Sequence, residues 1–296
     1  MIHKLHLLTN PAGGVGHNLA LEQQATSYLK RRGVEVTAYH TQFPGHAEEL
    51  VRTIPLNSND CVCGIGGDGT MHEIINGMMQ RPENRRVPVS LIPGGTGNSF
   101  MEDAQLLDVS KALEVILKNQ RKRIDLLEVR LDQNLRYAFN VCGWGLFATG
   151  NELAESMRWL GRLRYDAAGL LKILKNESHE ARLEMDESTI EDHFSLIVAS
   201  NSRYVGKGML LSPEARYDDG LLDLLYLRKT SRLALARLFM GLHKGEHVNQ
   251  PGVSYVQTRA FRIQAMALFK WNLDGEATTG KEARVQALKS AIEWIL

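Results

Sequence analysis

The chain has 296 residues, 44% of them hydrophobic and 23% charged. That is enough to bury a core of about two domains without disulfides or structural metal, and it excludes disordered and fibrous classes. Its 35 basic and 34 acidic residues leave a formal charge of +1, without the basic excess of a dedicated nucleic-acid binder, so no nucleic-acid partner is expected and any polyanion it handles is small.

Through the first 125 residues short apolar runs alternate with helical stretches. Leu5 to Thr9, Val34 to His40, Cys61 to Ile65 and Val87 to Ile92 read as strands, and Asn18 to Arg32, His46 to Ile54, Met71 to Gln80 and Ser110 to Lys118 as helices. This order predicts a mostly parallel sheet with helices on both faces, whose ligands sit beyond the carboxyl ends of the strands. Glycine loops mark that edge after the first, third and fourth strands, so three loops can meet at one crevice. From about Lys122 the rhythm changes. Strands are predicted at Arg123 to Leu131, Arg136 to Val141, Ala181 to Met185, Phe194 to Ser200, Leu221 to Leu227 and Phe261 to Met266, and adjacent strands point to an antiparallel second layer. One helix is expected from Glu152 to Leu174 and another from about Ser231 to His243. No repeat or long linker separates the halves.

Cys61, Cys63 and Cys142 are too few and too oddly numbered for a disulfide framework, which fits the cytosol. Cys61 and Cys63 share a buried strand, where core packing is a better reading than zinc. No run of about 18 apolar residues offers a bilayer span, and no signal-peptide pattern opens the chain. Membrane contact is expected to be transient and peripheral.

The strongest local signal is Gly66-Gly67-Asp68-Gly69-Thr70-Met71-His72-Glu73. Glycines after a buried strand bring backbone N–H groups close to a phosphate, which then meets a positive helix end. Thr70 and Glu73 have the spacing of a capping box. Asp68 sits in this anion-friendly loop, where a carboxylate binds metal, accepts a proton or fixes the turn. Asn10-Pro11 with Gly13, Gly14 and Gly16 repeats the logic in weaker form, and Thr96 between Gly95 and Gly97 offers a hydroxyl beside backbone donors. The dinucleotide fingerprint and the Walker spacing are both absent.

In this order the motifs resemble the catalytic domain shared by diacylglycerol, sphingosine and ceramide kinases. The resemblance rests on Asn10-Pro11-x-Gly-Gly, GGDGTMHEIINGMMQRP at Gly66 to Pro82, and PGGTGN at Pro93 to Asn98. Gly143-Trp144-Gly145, RWLGRLRYD at Arg158 to Asp166, Asp218-Asp219-Gly220 and Asp274-Gly275-Glu276 extend it over essentially the whole chain. It implies an α/β plus β architecture: a Rossmann-like three-layer nucleotide-binding domain over 1–124 and an antiparallel, sandwich-like lipid-binding domain over 125–296. The last residues are free to return to the first domain, and the active site is expected in the cleft between the two.

The same resemblance implies an ATP-dependent lipid kinase using Mg2+. Asp68 is then the general base, or the organiser of magnesium and water, with Glu276 the other acidic candidate. Asn10, Thr41, Gly66, Gly67, Gly69, Thr70, Glu73 and Thr96 are the nucleotide set. Arg158 and Arg164, with Arg162 close by, match phosphate-contacting arginines, although a solvated basic face is the alternative from residues alone. Asp219 matches the carboxylate of a structural magnesium loop, or is an ordinary turn. Ser99 replaces the second acid usual in bacterial diacylglycerol kinases. Asn151 stands where sphingosine kinases place an acid for the acceptor's amine, and a neutral side chain offers an ammonium no ion pair. The acceptor is therefore read as a neutral lipid such as diacylglycerol or ceramide, with a sphingoid base as the alternative, and a non-catalytic lipid or nucleotide sensor as the alternative of another class. A homodimer is compatible with a soluble enzyme.

Overall fold

The computed structural model describes residues 2–11, 13, 16–95, 97–157, 164–186, 188–206 and 208–296. The chain forms two compact units, Met1–Asp125 with Ser290–Leu296, and Leu126–Lys289.

The first unit runs β1 (Lys4–Thr9), α1 (Asn18–Lys30), β2 (Glu35–His40), α2 (His46–Thr53), β3 (Asp60–Gly66), α3 (Asp68–Met79), β4 (Val89–Pro93), α4 (Ser99–Asp103) and α5 (Val109–Lys118), and the chain leaves it along β5 (Arg121–Leu131). Strands β2, β1, β3 and β4 pair in parallel in that order. Side chains alternate across a pleated strand, so Leu5, Leu7, Cys61, Cys63 and Ile65 share one core with Ala25 and Leu29 of α1 and Leu113 and Ile116 of α5. The opposite face belongs to α3: a Cβ at Gly64 would lie 2.9 Å from Ile74 Cδ1. Helices therefore cover both faces. The C-terminal segment closes the sheet edge, with Trp294 paired in parallel with Val89 and stacked on Phe100 at 4.5 Å between ring centroids.

The second unit contains β6 (Asn134–Ala138), β7 (Val141–Gly145), α6 (Leu146–Ser156), α7 (Arg164–Lys175), β8 (His179–Met185), β9 (Ser188–Ser200), β10 (Tyr204–Val205), β11 (Met209–Leu210), β12 (Leu222–Arg228), α8 (Arg232–Gly241), β13 (Val253–Thr258), β14 (Ala260–Leu273) and β15 (Glu276–Ile295). Its pairings are antiparallel. The long strands change partner along their length: β9 pairs with β8 through Ser188 to Phe194 and with β7 through Leu196 to Ser200. Strand β14 likewise pairs with β8 and then β7. One core results, centred on Trp144, Leu183, Phe194, Leu224, Ile263 and Trp271. Among the described residues no helix is long and apolar enough to cross a membrane.

The structure corrects several expected bounds. Arg136 to Val141 is not one strand, because the chain breaks at Phe139 and Asn140 between β6 and β7. The single helix expected from Glu152 to Leu174 is two helices, the first starting at Leu146 directly after Gly145, whose φ of +72° turns the chain out of β7. The strand expected at Phe261 to Met266 continues to Leu273 through a register shift between Gln264 and Phe269.

Asp223, on β12, is buried and accepts hydrogen bonds from Tyr255 Oη at 2.5 Å and Gln257 Nε2 at 3.3 Å. Burial outweighs these bonds and pushes its carboxyl up from 3.8 to about 6,. The folded state thus binds more protons than the unfolded one between those values, so this group's contribution is fully present below about pH 4 and is lost as pH rises through about 6. At 1.36 kcal/mol per pKa unit the loss reaches about 3 kcal/mol. Asp223→Asn, which keeps an acceptor for Tyr255, is expected to melt higher than the parent at pH 7.5, with the gap narrowing toward pH 5. A variant that melts lower at every pH would show that the charged bond to Tyr255 outweighs the burial of the charge.

Candidate active site

The second and third glycine loops of the first unit pack backbone on backbone. Strand β3 ends at Gly66, Gly67 is the N-cap of α3, and Asp68 opens that helix. Gly94 and Gly95 both donate their N–H to Gly66 O, at 2.9 and 2.8 Å, and Asp68 N donates to Gly97 O at 3.1 Å. Ser99 N donates to Asp68 Oδ2 at 3.0 Å. Contacts this close leave no room for a side chain: a Cβ at Gly67 would lie 2.5 Å from Gly97 O, and one at Gly95 would lie 2.6 Å from Gly67 N. The first loop joins them through Asn18, whose Nδ2 donates to Asn10 O at 2.9 Å and whose Oδ1 would lie 2.5 Å from a Cβ at Gly94. Thr41, just past β2, donates its N–H to Thr9 O at 2.9 Å. Asn10, Thr41, Gly66, Gly67, Asp68, Gly69 and Thr70 therefore come together at the carboxyl edge of the parallel sheet.

The edge suits a phosphate-bearing ligand. The half-exposed N-terminus of α3 presents the positive end of a helix with unused N–H groups, and the buried oxygens Asn98 Oδ1 and Thr9 Oγ1 have no partner among the described residues. A buried polar atom without a partner is costly, and a bound nucleotide supplies hydroxyl and amine groups that satisfy it. Gly95→Ala is expected to push the second and third loops apart, cost about 1–3 kcal/mol and weaken ATP binding by roughly tenfold. Calorimetric titration with ATP and a thermal melt check both numbers, and parental values in both would show that the loops yield without consequence.

The expected capping box is not formed. Gly67 caps α3 without a side-chain bond, because the Thr70 side chain turns onto Gly66 and would occupy the space of a Cβ there. Glu73 instead accepts from Gly45 N at 2.8 Å and Ala47 N at 2.9 Å, with one oxygen each. Both carboxylate oxygens of Glu73 are thus engaged at the start of α2, where they tie α2 to α3 beside the glycine loops. Arg81 holds the other end of α2 through Val51 O and Ile54 O at 2.8 and 3.0 Å. Thr96, Arg158 and Arg162 lie outside the described residues, as do the side chains of Asn151 and Arg164.

The second unit carries the remaining acidic candidates. Asp219 Oδ1 accepts from Leu221 N at 2.9 Å, closing an Asx turn in which Gly220 has a φ of +82° and packs against Lys289. Lys289 lies toward the far end of β15 from Glu276, so the structure does not bring Asp219 and Glu276 together. Asp274 and Glu276, two residues apart, have opposite surroundings. Glu276 is exposed, whereas Asp274 is buried with a φ of +52° and accepts from Phe139 N, Asn140 N and Val141 N at 3.1, 2.9 and 3.0 Å. Motif reading named Glu276 alone, and the signal for Asp274 is its place at the one sharp turn between the two longest strands. Among the described residues no group of three His, Cys, Asp or Glu side chains is placed to hold a metal.

The second unit also encloses an apolar cavity of ≈ 190 Å³. Leu146 and Phe147 of α6, Ile173 of α7, and Leu235, Leu238 and Phe239 of α8 line it. Gly169 lets the helices close over it, since a Cβ there would lie 2.5 Å from the Phe239 ring. His247 stands at its wall with Nε2 on Leu211 O at 2.9 Å, and burial lowers its pKa, which keeps the ring neutral. This is a place for hydrocarbon.

The carboxyl edge of the parallel α/β unit thus suits a phosphate-bearing ligand, and the β-rich unit holds an apolar cavity. Comparison with known proteins agrees. A sequence model described as the diacylglycerol kinase catalytic domain matches residues 4–129, and one described as the YegS C-terminal NAD kinase beta sandwich-like domain matches residues 140–296. A Mycobacterium tuberculosis protein named diacylglycerol kinase is 29% identical over 298 residues, covering 99% of this chain and 94% of that protein. An Arabidopsis thaliana protein named sphingosine kinase 1 is 23% identical over 310 residues, 88% of this chain and 64% of that one. A crystal structure of a diacylglycerol kinase from Bacillus anthracis str. Sterne shares the fold, with a TM-score of 0.72 at 19% identity over 99% of this chain and 96% of that one. The chain belongs to the diacylglycerol kinase-like family of lipid kinases.

Proposed function

We propose that the protein transfers the γ-phosphoryl group of ATP to the hydroxyl of a neutral lipid, diacylglycerol or a ceramide-like molecule. The observation that carries this is the apolar cavity of the second unit, which suits an acyl chain and holds no carboxylate among its described lining residues to recognise a charged amine. Asn151, at the position where an acid would pair with a sphingoid ammonium, favours the same choice.

In this mechanism the glycine loops and the N-terminus of α3 hold the phosphates. Asp68 accepts the proton of the acceptor hydroxyl as its oxygen bonds to the γ-phosphorus, and the bond from that phosphorus to the β-phosphate oxygen breaks to release ADP. The bond from Ser99 N fixes Asp68 Oδ2 and keeps the carboxylate oriented. Phosphoryl transfer depends on positioning and charge more than on covalent chemistry, and Arg158 and Arg164 are the proposed clamp. Magnesium bound with ATP would offset the charge of the phosphates, with Asp68 the carboxylate that would organise it, and Asp219 would hold a structural ion at the turn it closes with Leu221,.

Labelled-phosphate transfer from ATP with magnesium, to mixed micelles of diacylglycerol, monoacylglycerol, ceramide or sphingosine, tests the proposal. Labelled diacylglycerol or ceramide product is expected. Preferential labelling of sphingosine would overturn the neutral-lipid assignment, and ATP binding without any labelled lipid would overturn the reaction.

A further inference from the structure

Helix α8 is apolar on two sides. Its inner side chains Leu235, Leu238 and Phe239 wall the cavity, yet Leu233 and Met240 on its outer side are 61% and 71% exposed. An amphipathic helix of a soluble domain has one apolar stripe facing the core, so the outer pair needs a separate account. Leu233, Arg237 and Met240 follow the i, i+4, i+7 spacing of a single helix face, and Lys244 continues that line just past the helix end, exposed like Arg237. The stripe therefore alternates apolar and cationic groups.

Two further observations extend it. Helix α7 lies beside α8, with Arg232 Nε donating to Leu174 O at 2.8 Å, and it adds exposed Leu171 and Leu174, three residues apart, with exposed Lys175, whose Nζ lies 3.9 Å from Glu177 Oε1. From Leu224 to Gly245 the chain holds Arg228, Lys229, Arg232, Arg237 and Lys244 and no acidic residue. Arg228 is paired with Asp192 at 3.4 Å, whereas Lys229, Arg237 and Lys244 are in no ion pair with a described residue.

We infer that the outer face of α7 and α8 docks on an anionic phospholipid bilayer, with Leu233, Met240, Leu171 and Leu174 entering the acyl boundary and Arg237, Lys244 and Lys175 meeting lipid phosphates. The inference rests on the lipid-kinase reading for its purpose: the helices that meet the bilayer are the ones that line the cavity, so an acyl chain passes from membrane to cavity without crossing water. Charge complementarity selects this occupant. Interfacial helices bind through apolar insertion together with basic residues drawn to anionic headgroups, and this face has both. A second copy of the chain fits poorly, because a two-fold contact sets the same patch against itself and would oppose one cationic stripe to another.

The test uses the full chain and vesicles free of any acceptor lipid, so that binding is read apart from catalysis. Sedimentation with equimolar phosphatidylcholine and phosphatidylglycerol is expected to show binding that weakens with salt, and phosphatidylcholine alone to bind at least tenfold less. The double variants Leu233→Asp/Met240→Asp and Arg237→Glu/Lys244→Glu are each expected to lose at least tenfold in vesicle affinity. Their melting temperature and their labelling of a short-chain, water-soluble diacylglycerol should stay at the parental level. Parental binding in both variants overturns the docking face, as does a parent that ignores anionic vesicles. A parent that is dimeric by light scattering and variants that are monomeric assign the face to self-association and also overturn it. Loss of labelling in the parent with vesicle binding intact removes the kinase reading and leaves the docking face standing.

Discussion

Asp68→Asn is expected to lower the rate of phosphoryl transfer by about a thousandfold while leaving the protein folded and able to bind ATP. The substitution keeps a carbonyl oxygen at Oδ1 that can accept the bond from Ser99 N, now made to Oδ2 at 3.0 Å. The loss of a negative charge at the start of α3 costs the fold about 0.3–1 kcal/mol. It removes the proposed proton acceptor, and general-base catalysis is worth about 10²–10⁴ in rate. Single-turnover transfer from labelled ATP separates this from binding: the chemical step should slow while the ATP concentration giving half-saturation stays within about twofold. Glu276→Gln is the companion measurement, because Glu276 is exposed and no bond to it is needed to hold the turn. A residual rate above one tenth of the parent in Asp68→Asn, with a thousandfold loss in Glu276→Gln, would transfer the role of base to Glu276.

The α/β unit was legible because its physics is local. Each strand is a short apolar run bounded by turn residues, and the glycines that end β3 and β4 are required where Gly67 and Gly95 touch. The glycine motif is therefore itself the signature of the contact. The capping box was misread for the opposite reason: Glu73 has the right spacing from Thr70, but its partners Gly45 and Ala47 are distant in sequence, and spacing along one helix carries no information about them. Strand β15 was missed altogether. Its stretch from Lys281 to Trp294, KEARVQALKSAIEW, is rich in Ala, Lys, Glu, Gln and Leu, all good helix formers. Pairing with β14 up to Gln286, and with β5 and β4 as its other neighbours, overrides the local preference, as tertiary context does routinely for weak propensities. The outer stripe of α8 was visible in the sequence as an apolar helix, yet only the side-chain exposures separate its cavity face from its solvent face.

Asp274→Ala is expected to be the most destabilising single change in the second unit, by about 3–5 kcal/mol, or roughly 10 °C in melting temperature for a unit of this size. Asp274 receives the N–H groups of Phe139, Asn140 and Val141, all three residues buried. Those donors bridge β6 to β7, where Phe139 and Asn140 lie between the two strands and Val141 opens the second, paired with Ser200. Alanine strands three buried donors at about 1–3 kcal/mol each, offset in part by water entering the space, and it also places a residue poorly suited to a φ of +52° at the turn,. Asp274→Asn separates the two costs. Asparagine tolerates the left-handed conformation and keeps one acceptor oxygen for Asn140 and Val141, but turns an amide toward the Phe139 donor, so an intermediate loss of about 1–3 kcal/mol is expected. Amide hydrogen exchange at residues 139–141 is the decisive readout, because protection there should fall in the order parent, Asn, Ala. Equal protection in all three proteins would show that Asp274 does not hold this crossover, and its burial would then have to be explained by the polar groups around Asn272 and Asn140 instead.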